Sequence, residues 1–204
     1  MLKIFFALAT MLLTTLPAAA DTTILALGDS LTAGYGLDAG HAMPDVLQAA
    51  LRKSGQDITI INAGVSGDTA AQGAARLDWS LTPDVKAIIV ELGANDALRG
   101  LPPEGTDKAL RQIMDKAKAK NLPVLVLGMK APPNLGADYQ TKFDSLFPTL
   151  AKDYDAILYP FYLDGVAADP KLNQVDGIHP NDAGVAIIVP KLLAYIDLLV
   201  KRLP

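Results

Sequence analysis

The sequence has no cysteine. Disulfides are therefore excluded, and the fold must stand on its apolar core alone. Histidine is nearly missing as well: there are 2, His41 and His179, far apart along the chain. That leaves no ligand set for zinc, and no metal or other cofactor is expected. A P-loop of the phosphate-binding kind is absent. Positive charge is not in excess, since 18 Lys and Arg face 22 Asp and Glu for a net charge of −4. Nothing in that balance favours nucleic acid, and no block of like charge forms an interaction tail. No internal repeat, low-complexity stretch or linker divides the chain. Its 204 residues, 50% of them hydrophobic, suit one sizeable core. A monomer is expected.

What is present begins with a distinct leader. Lys3 is its only charge, Ile4 to Leu16 is a short apolar run, and Pro17-Ala18-Ala19-Ala20 ends it in small residues. This is the order of a secretory signal cleaved after Ala20. The run is short for spanning a bilayer; the alternative is an uncleaved N-terminal anchor. Residues 1–20 are thus read as a signal peptide and 21–204 as one folded domain, acting in the periplasm or outside the cell. Nothing after Ala20 reads as long and apolar enough for a second membrane segment, so no stable insertion is expected.

Beyond the leader, strand-like and helix-like stretches alternate. The apolar runs Thr23–Leu27, Ile58–Asn62, Ala87–Leu92, Val124–Leu127 and Ala156–Tyr159 are mostly continuous, the mark of strands buried on both faces. Helical spacing is predicted over Pro44–Lys53, Glu104–Lys120, Asp138–Lys152 and Asp182–Lys201, with kinks at Pro148 and Pro190. The alternation predicts an α/β fold in which five strands form a parallel sheet covered by helices on both sides.

Ligands of such sheets gather at the carboxyl ends of the strands. There the sequence places Gly28-Asp29-Ser30, Ala63-Gly64-Val65-Ser66-Gly67-Asp68, Gly93-Ala94-Asn95-Asp96, Met129 to Gly136, and Asp176-Gly177-Ile178-His179-Pro180. Ser30 is a candidate nucleophile, but a serine hydroxyl is weak without an oriented base. His179 lies three residues after Asp176, with a glycine between them. A carboxylate there can reach the near ring nitrogen and leave the far one outward. Acyl transfer also needs donors for a developing oxyanion. The Ser30 N–H, the Gly67 N–H and the Asn95 amide are the candidates.

Taken together, Gly28-Asp29-Ser30-Leu31, Gly67 in "NAGVSGDT", Asn95 in "ELGAND" and Asp176-x-x-His179 in "DGIHP" resemble the four blocks of the SGNH, or GDSL, hydrolase family. The likeness covers essentially all of 21–204. It implies a three-layer α/β/α sandwich with a five-stranded parallel sheet, flavodoxin-like in architecture, a Ser30–His179–Asp176 triad, an oxyanion hole from Ser30, Gly67 and Asn95, and hydrolysis of esters and often thioesters without a metal. The implied partner is a small-molecule ester or acyl-lipid substrate. "MKAPPNLGADY" resembles the loop that shapes the family's acyl groove. Met43 stands where close relatives often carry tryptophan.

Other residues read as support. Asp29, Asp68 and Asp96 read as caps and loop ties. Glu91, at a strand end, would be costly buried unless hydrogen-bonded. His41 has no partner in view. Gly34 to Ala39 matches a dinucleotide fingerprint, yet starts too far from its strand to serve as one. Two rivals remain: a carbohydrate acetylesterase, and a periplasmic ligand-binding protein that uses the glycine loops without catalysis.

Overall fold

The apolar runs become five strands: β1 (Thr22–Gly28), β2 (Ile58–Gly64), β3 (Val85–Glu91), β4 (Val124–Leu127) and β5 (Ile157–Tyr159). They form one parallel sheet in the order β2-β1-β3-β4-β5. This is a computed structural model describing residues 22–203; the leader pattern of 1–20 lies outside the described residues. β1, β3 and β4 are buried along nearly their whole length. That burial explains why they read as unbroken apolar runs. Edge strand β2 alternates at first between buried and half-buried positions.

Among the described residues the α-helices are α1 (Ser30–Ala33), α2 (Met43–Lys53), α3 (Ala70–Ser80), α4 (Ala94–Leu98), α5 (Pro103–Ala119), α6 (Ala137–Asp144), α7 (Leu146–Asp153) and α8 (Asp182–Val200). α2 packs with α8 on one face, and α3, α5 and α7 line the other. The three-layer α/β/α prediction therefore holds. Met43 is fully buried in the first turn of α2.

Three features depart from the sequence expectation. α3 has no strong apolar stripe and was not predicted; a capping box fixes its start, with Thr69 and Gln72 each satisfying the other's backbone N–H. The helix expected over Asp138–Lys152 is two helices that part at Ser145. Pro148 falls in the first turn of the second, where no N–H is required of it. α8 runs through Pro190 without ending, and its mean hydropathy of 2.0 makes it long and apolar enough to cross a membrane. That corrects the expectation for the segments after Ala20. In the fold α8 packs on α2, β4 and β5, burying Val185, Ile188, Val189, Leu192, Ile196 and Leu199.

The strand order places the site. The chain leaves β1 for β2 on one side, then crosses back to β3 on the other. The loops after β1 and β3 therefore diverge and leave a crevice at the carboxyl end of the sheet.

Candidate active site

Ser30 opens α1 directly after β1. Asp29 caps that one-turn helix by accepting the Leu31 N–H at 3.0 Å. Gly34 ends it with φ of 80°. The glycines noted in the sequence thus belong to a short turn that lifts Ser30 out of the sheet. They do not form a dinucleotide loop.

His179 arrives from the far end of the chain. Its Nε2 lies 2.9 Å from Ser30 Oγ, and its Nδ1 lies 2.6 Å from Asp176 Oδ2. Asp176 Oδ1 accepts the N–H groups of Ile178 at 2.9 Å and His179 at 3.1 Å. The Ile178 N–H, helped by the His179 side chain and N–H, holds the Asp176 carboxyl down to about 2 against the opposing effect of partial burial. Asp176 is therefore an anion at any working pH. Pro180 and Asn181 follow, and Asn181 caps α8 by accepting the Gly184 N–H at 3.1 Å. The loop is thus tied to a long, buried helix.

The donor candidates line the same cavity as Ser30. Gly67 has φ of 87°, and an added Cβ there would touch only Arg99, at 3.7 Å. Glycine is required by the left-handed backbone, not by crowding. Arg99 donates to the Gly67 carbonyl at 2.8 Å. Neither the Ser30 nor the Gly67 N–H donates to another group among the described residues. Asn95 Nδ2 donates to Asp29 Oδ2 at 3.1 Å, which leaves its second N–H for the cavity.

The loops are cross-braced. Arg76 of α3 donates to the Gly28 carbonyl at 2.8 Å and to Asp68 at 2.6 Å. Asp96 accepts the Ala70 N–H at 2.8 Å and the Thr106 hydroxyl at 3.0 Å. Asp29, Asp68 and Asp96 are therefore ties, as read from the sequence.

The cavity measures about 550 Å³. Leu31, Ala97, Leu98, Met129, Phe161 and Ile178 give it apolar walls, with Lys130 and Pro132 also lining it. Lys130 stands over the Phe161 ring at 5.0 Å.

Two neighbours of His179 were not legible in the sequence. The Tyr35 ring lies 4.7 Å from the His179 ring, tilted by 40°. Gln174 donates its backbone N–H to the His179 carbonyl at 2.8 Å and its side chain to the Tyr35 carbonyl at 2.7 Å. Only the position of Tyr35, five residues past Ser30 on the same turn, hinted at such a contact. His41 is not partnerless, for its Nδ1 pairs with Asp182 at 3.0 Å. Among the described residues no group of three His, Cys, Asp or Glu side chains could hold a metal ion.

The chain matches the profile of the GDSL-like Lipase/Acylhydrolase family over residues 26–187. It is 42% identical over 172 residues to "Thioesterase 1/protease 1/lysophospholipase L1" of Escherichia coli (strain K12), covering 84% of this chain and 81% of that protein. It is 40% identical over 164 residues to "Arylesterase" of Vibrio mimicus, covering 79% and 81%. Among solved structures, AlinE4, an SGNH-hydrolase family esterase, aligns at 46% identity with a TM-score of 0.75, covering 92% of this chain and 99% of that one. The psychrotrophic esterase EstA from Pseudoalteromonas sp., solved inhibited by monoethylphosphonate, aligns at 34% identity with a TM-score of 0.84, covering 89% and 100%. By the extent and depth of these matches, the chain belongs to the GDSL-like lipase/acylhydrolase, or SGNH hydrolase, family and is an enzyme acting on ester bonds.

Proposed function

We propose that the chain hydrolyses carboxylic esters, and acyl thioesters or lysophospholipids, by a Ser30–His179–Asp176 mechanism through an acyl-enzyme. The observation that carries this is the unbroken relay from Ser30 Oγ to His179 Nε2 at 2.9 Å and from His179 Nδ1 to Asp176 at 2.6 Å. His179 Nε2 takes the hydroxyl proton as Oγ attacks the acyl carbon. The carbonyl electrons move onto its oxygen, and the N–H groups of Ser30, Gly67 and Asn95 receive that charge. Asp176 holds the ring and stabilises the imidazolium. The tetrahedral adduct collapses and expels the alcohol or thiol, which takes the proton from His179. Water then repeats the sequence on the acyl-serine and releases the acid.

The apolar walls of the cavity support an acyl chain longer than acetyl, which counts against the acetylesterase alternative. Export is proposed on the leader pattern of residues 1–20, with mature protein beginning at Asp21; N-terminal sequencing of the exported protein reads this directly. The mechanism is tested with p-nitrophenyl esters under rapid mixing. A burst of p-nitrophenol equal to the enzyme concentration is expected wherever deacylation is the slower step. Ser30→Ala and His179→Ala are each expected to lose turnover. A His179→Ala enzyme as active as the parent contradicts the mechanism.

A further inference from the structure

Behind the reacting groups lies a buried carboxyl pair that the mechanism above does not use. Asp29 follows β1 and Glu91 ends β3, and both are fully shielded from solvent. Glu91 Oε2 accepts the Thr32 hydroxyl at 2.8 Å and the Asp29 N–H at 3.3 Å. Its Oε1 has no partner among the described residues. Both Asp29 oxygens are engaged, Oδ1 by the Leu31 N–H at 3.0 Å and Oδ2 by the Asn95 amide at 3.1 Å. A chain of contacts thus runs from Glu91, through the turn that carries Ser30, to Asn95. The backbone is shaped around it: a Cβ on Gly28 would lie 2.8 Å from Glu91 Oε2 and 2.0 Å from Thr32 Oγ1.

A side chain that merely filled this space would be apolar. A buried carboxyl with one unpaired oxygen costs stability, and an apolar group of similar size would not. Placing it here gains direction instead: two donors of the Ser30 turn are anchored to the end of the neighbouring strand, where Glu91 lies in register with Gly28.

We propose that Glu91 is a positioning residue for ester hydrolysis: anchored on Thr32 and the Asp29 backbone, it fixes Asp29, and Asp29 fixes the Asn95 amide so that its second N–H meets the acyl oxygen. This role rests on the oxyanion assignment proposed above. Glu91 fills it as the protonated acid of the pair. Burial, and then the charge of Asp29, push its carboxyl well above the ordinary range. Asp29 is pushed up by burial but pulled back by its Leu31 and Asn95 donors. Of the other titratable groups, His179 acts on Asp29, and the Tyr162 hydroxyl is pushed up by burial and then by the charges of Glu91 and Asp29.

The test is a double-mutant cycle in kcat and KM on a p-nitrophenyl ester, with each variant's melting curve recorded. Asn95→Ala alone is expected to lower kcat by about 10²- to 10³-fold. Glu91→Ala is expected to lower kcat by about 10-fold with KM within about twofold, because a misaimed donor is missed in the transition state. In the double variant the Glu91 change is expected to add less than about threefold to the Asn95→Ala loss, since both act through one group. Glu91→Gln keeps an acceptor and a donor without charge, and it restores kcat to within about threefold of the parent. Losses that multiply in the double variant, a Glu91→Ala enzyme as fast as the parent, or a Glu91→Gln enzyme as slow as Glu91→Ala each overturn the proposal. Where Glu91→Ala does not fold, Glu91→Asp withdraws the carboxyl by one methylene and serves in the same cycle. A loss under about twofold in Asn95→Ala alone refutes the oxyanion assignment and the Glu91 role with it. A full loss there, with multiplying losses in the double variant, refutes the Glu91 role alone.

Discussion

Lengthening the acyl chain while holding the leaving group constant reads the cavity beside Ser30. That cavity of about 550 Å³ is walled by Leu31, Ala97, Leu98, Met129, Phe161 and Ile178. Moving one methylene from water into such surroundings is favourable by about 0.8 kcal/mol, about fourfold in kcat/KM when the transition state keeps the contact. Leu98 and Ile178 stay partly exposed at the rim, so part of the chain remains wet. Half the full value, about 0.4 kcal/mol or twofold per methylene, is the lower bound that this incomplete burial sets. Over the four methylenes from acetate to hexanoate, kcat/KM is expected to rise about 15- to 200-fold. The assay is steady-state hydrolysis of p-nitrophenyl esters from acetate to octanoate. Uniform binding would lower KM alone, so the two constants are read separately. A maximum at acetate, or a flat series, would refute an acyl chain in this cavity and favour the carbohydrate acetylesterase.

Asp176→Asn is expected to lower kcat by about 10²- to 10⁴-fold, because an amide N–H facing Nδ1 turns the ring to the tautomer that cannot take the Ser30 proton. Steady-state rates at fixed pH check it, and a loss under about tenfold contradicts the orienting role. Glu91 also fixes a stability trend. The folded protein keeps the Glu91 proton where the unfolded chain releases it, so this stability is present in acid and lost as pH rises above the unfolded value. Glu91→Gln cannot ionise, so its melting temperature relative to the parent should climb between pH 5 and 8. The underlying slope is at most about 1.4 kcal/mol per pH unit. Calorimetry of both proteins measures it, and a difference that is constant with pH contradicts a proton on Glu91. Gly28→Ala is expected to destabilise the Ser30 turn, since its Cβ would collide with Thr32 Oγ1 at 2.0 Å. An unchanged melting temperature would show that Thr32 gives way.

The five strands were legible because burial on both faces leaves continuous apolar runs, and most of the candidate site was legible because the loops after β1, β2 and β3 hold glycine beside small polar residues. α3 was not. Its stretch "AAQGAARLDWS" holds one large buried apolar residue, Leu77. Its small residues serve close approach: a Cβ on Gly73 would lie 2.3 Å from Leu92. Such packing leaves no periodic apolar signal. The break between α6 and α7 falls at Ser145, three residues before Pro148, because Pro148 has no N–H for the Asp144 carbonyl and is accommodated in the first turn of a new helix. Pairings between distant segments were beyond the sequence altogether. His41 with Asp182, Tyr35 with His179, and Glu91 with Asp29 and Thr32 depend on how the layers stack, which local spacing does not encode.

The central claim is that Ser30 is a nucleophile activated by His179 and Asp176. An alkyl p-nitrophenyl phosphonate, which is trapped by an attacking hydroxyl, tests it in one measurement of intact mass followed by peptide mapping. One phosphonyl adduct per chain, located on Ser30, lost in Ser30→Ala and strongly slowed in His179→Ala, is the result this account predicts. An adduct on another residue, or labelling that persists in Ser30→Ala, would contradict it.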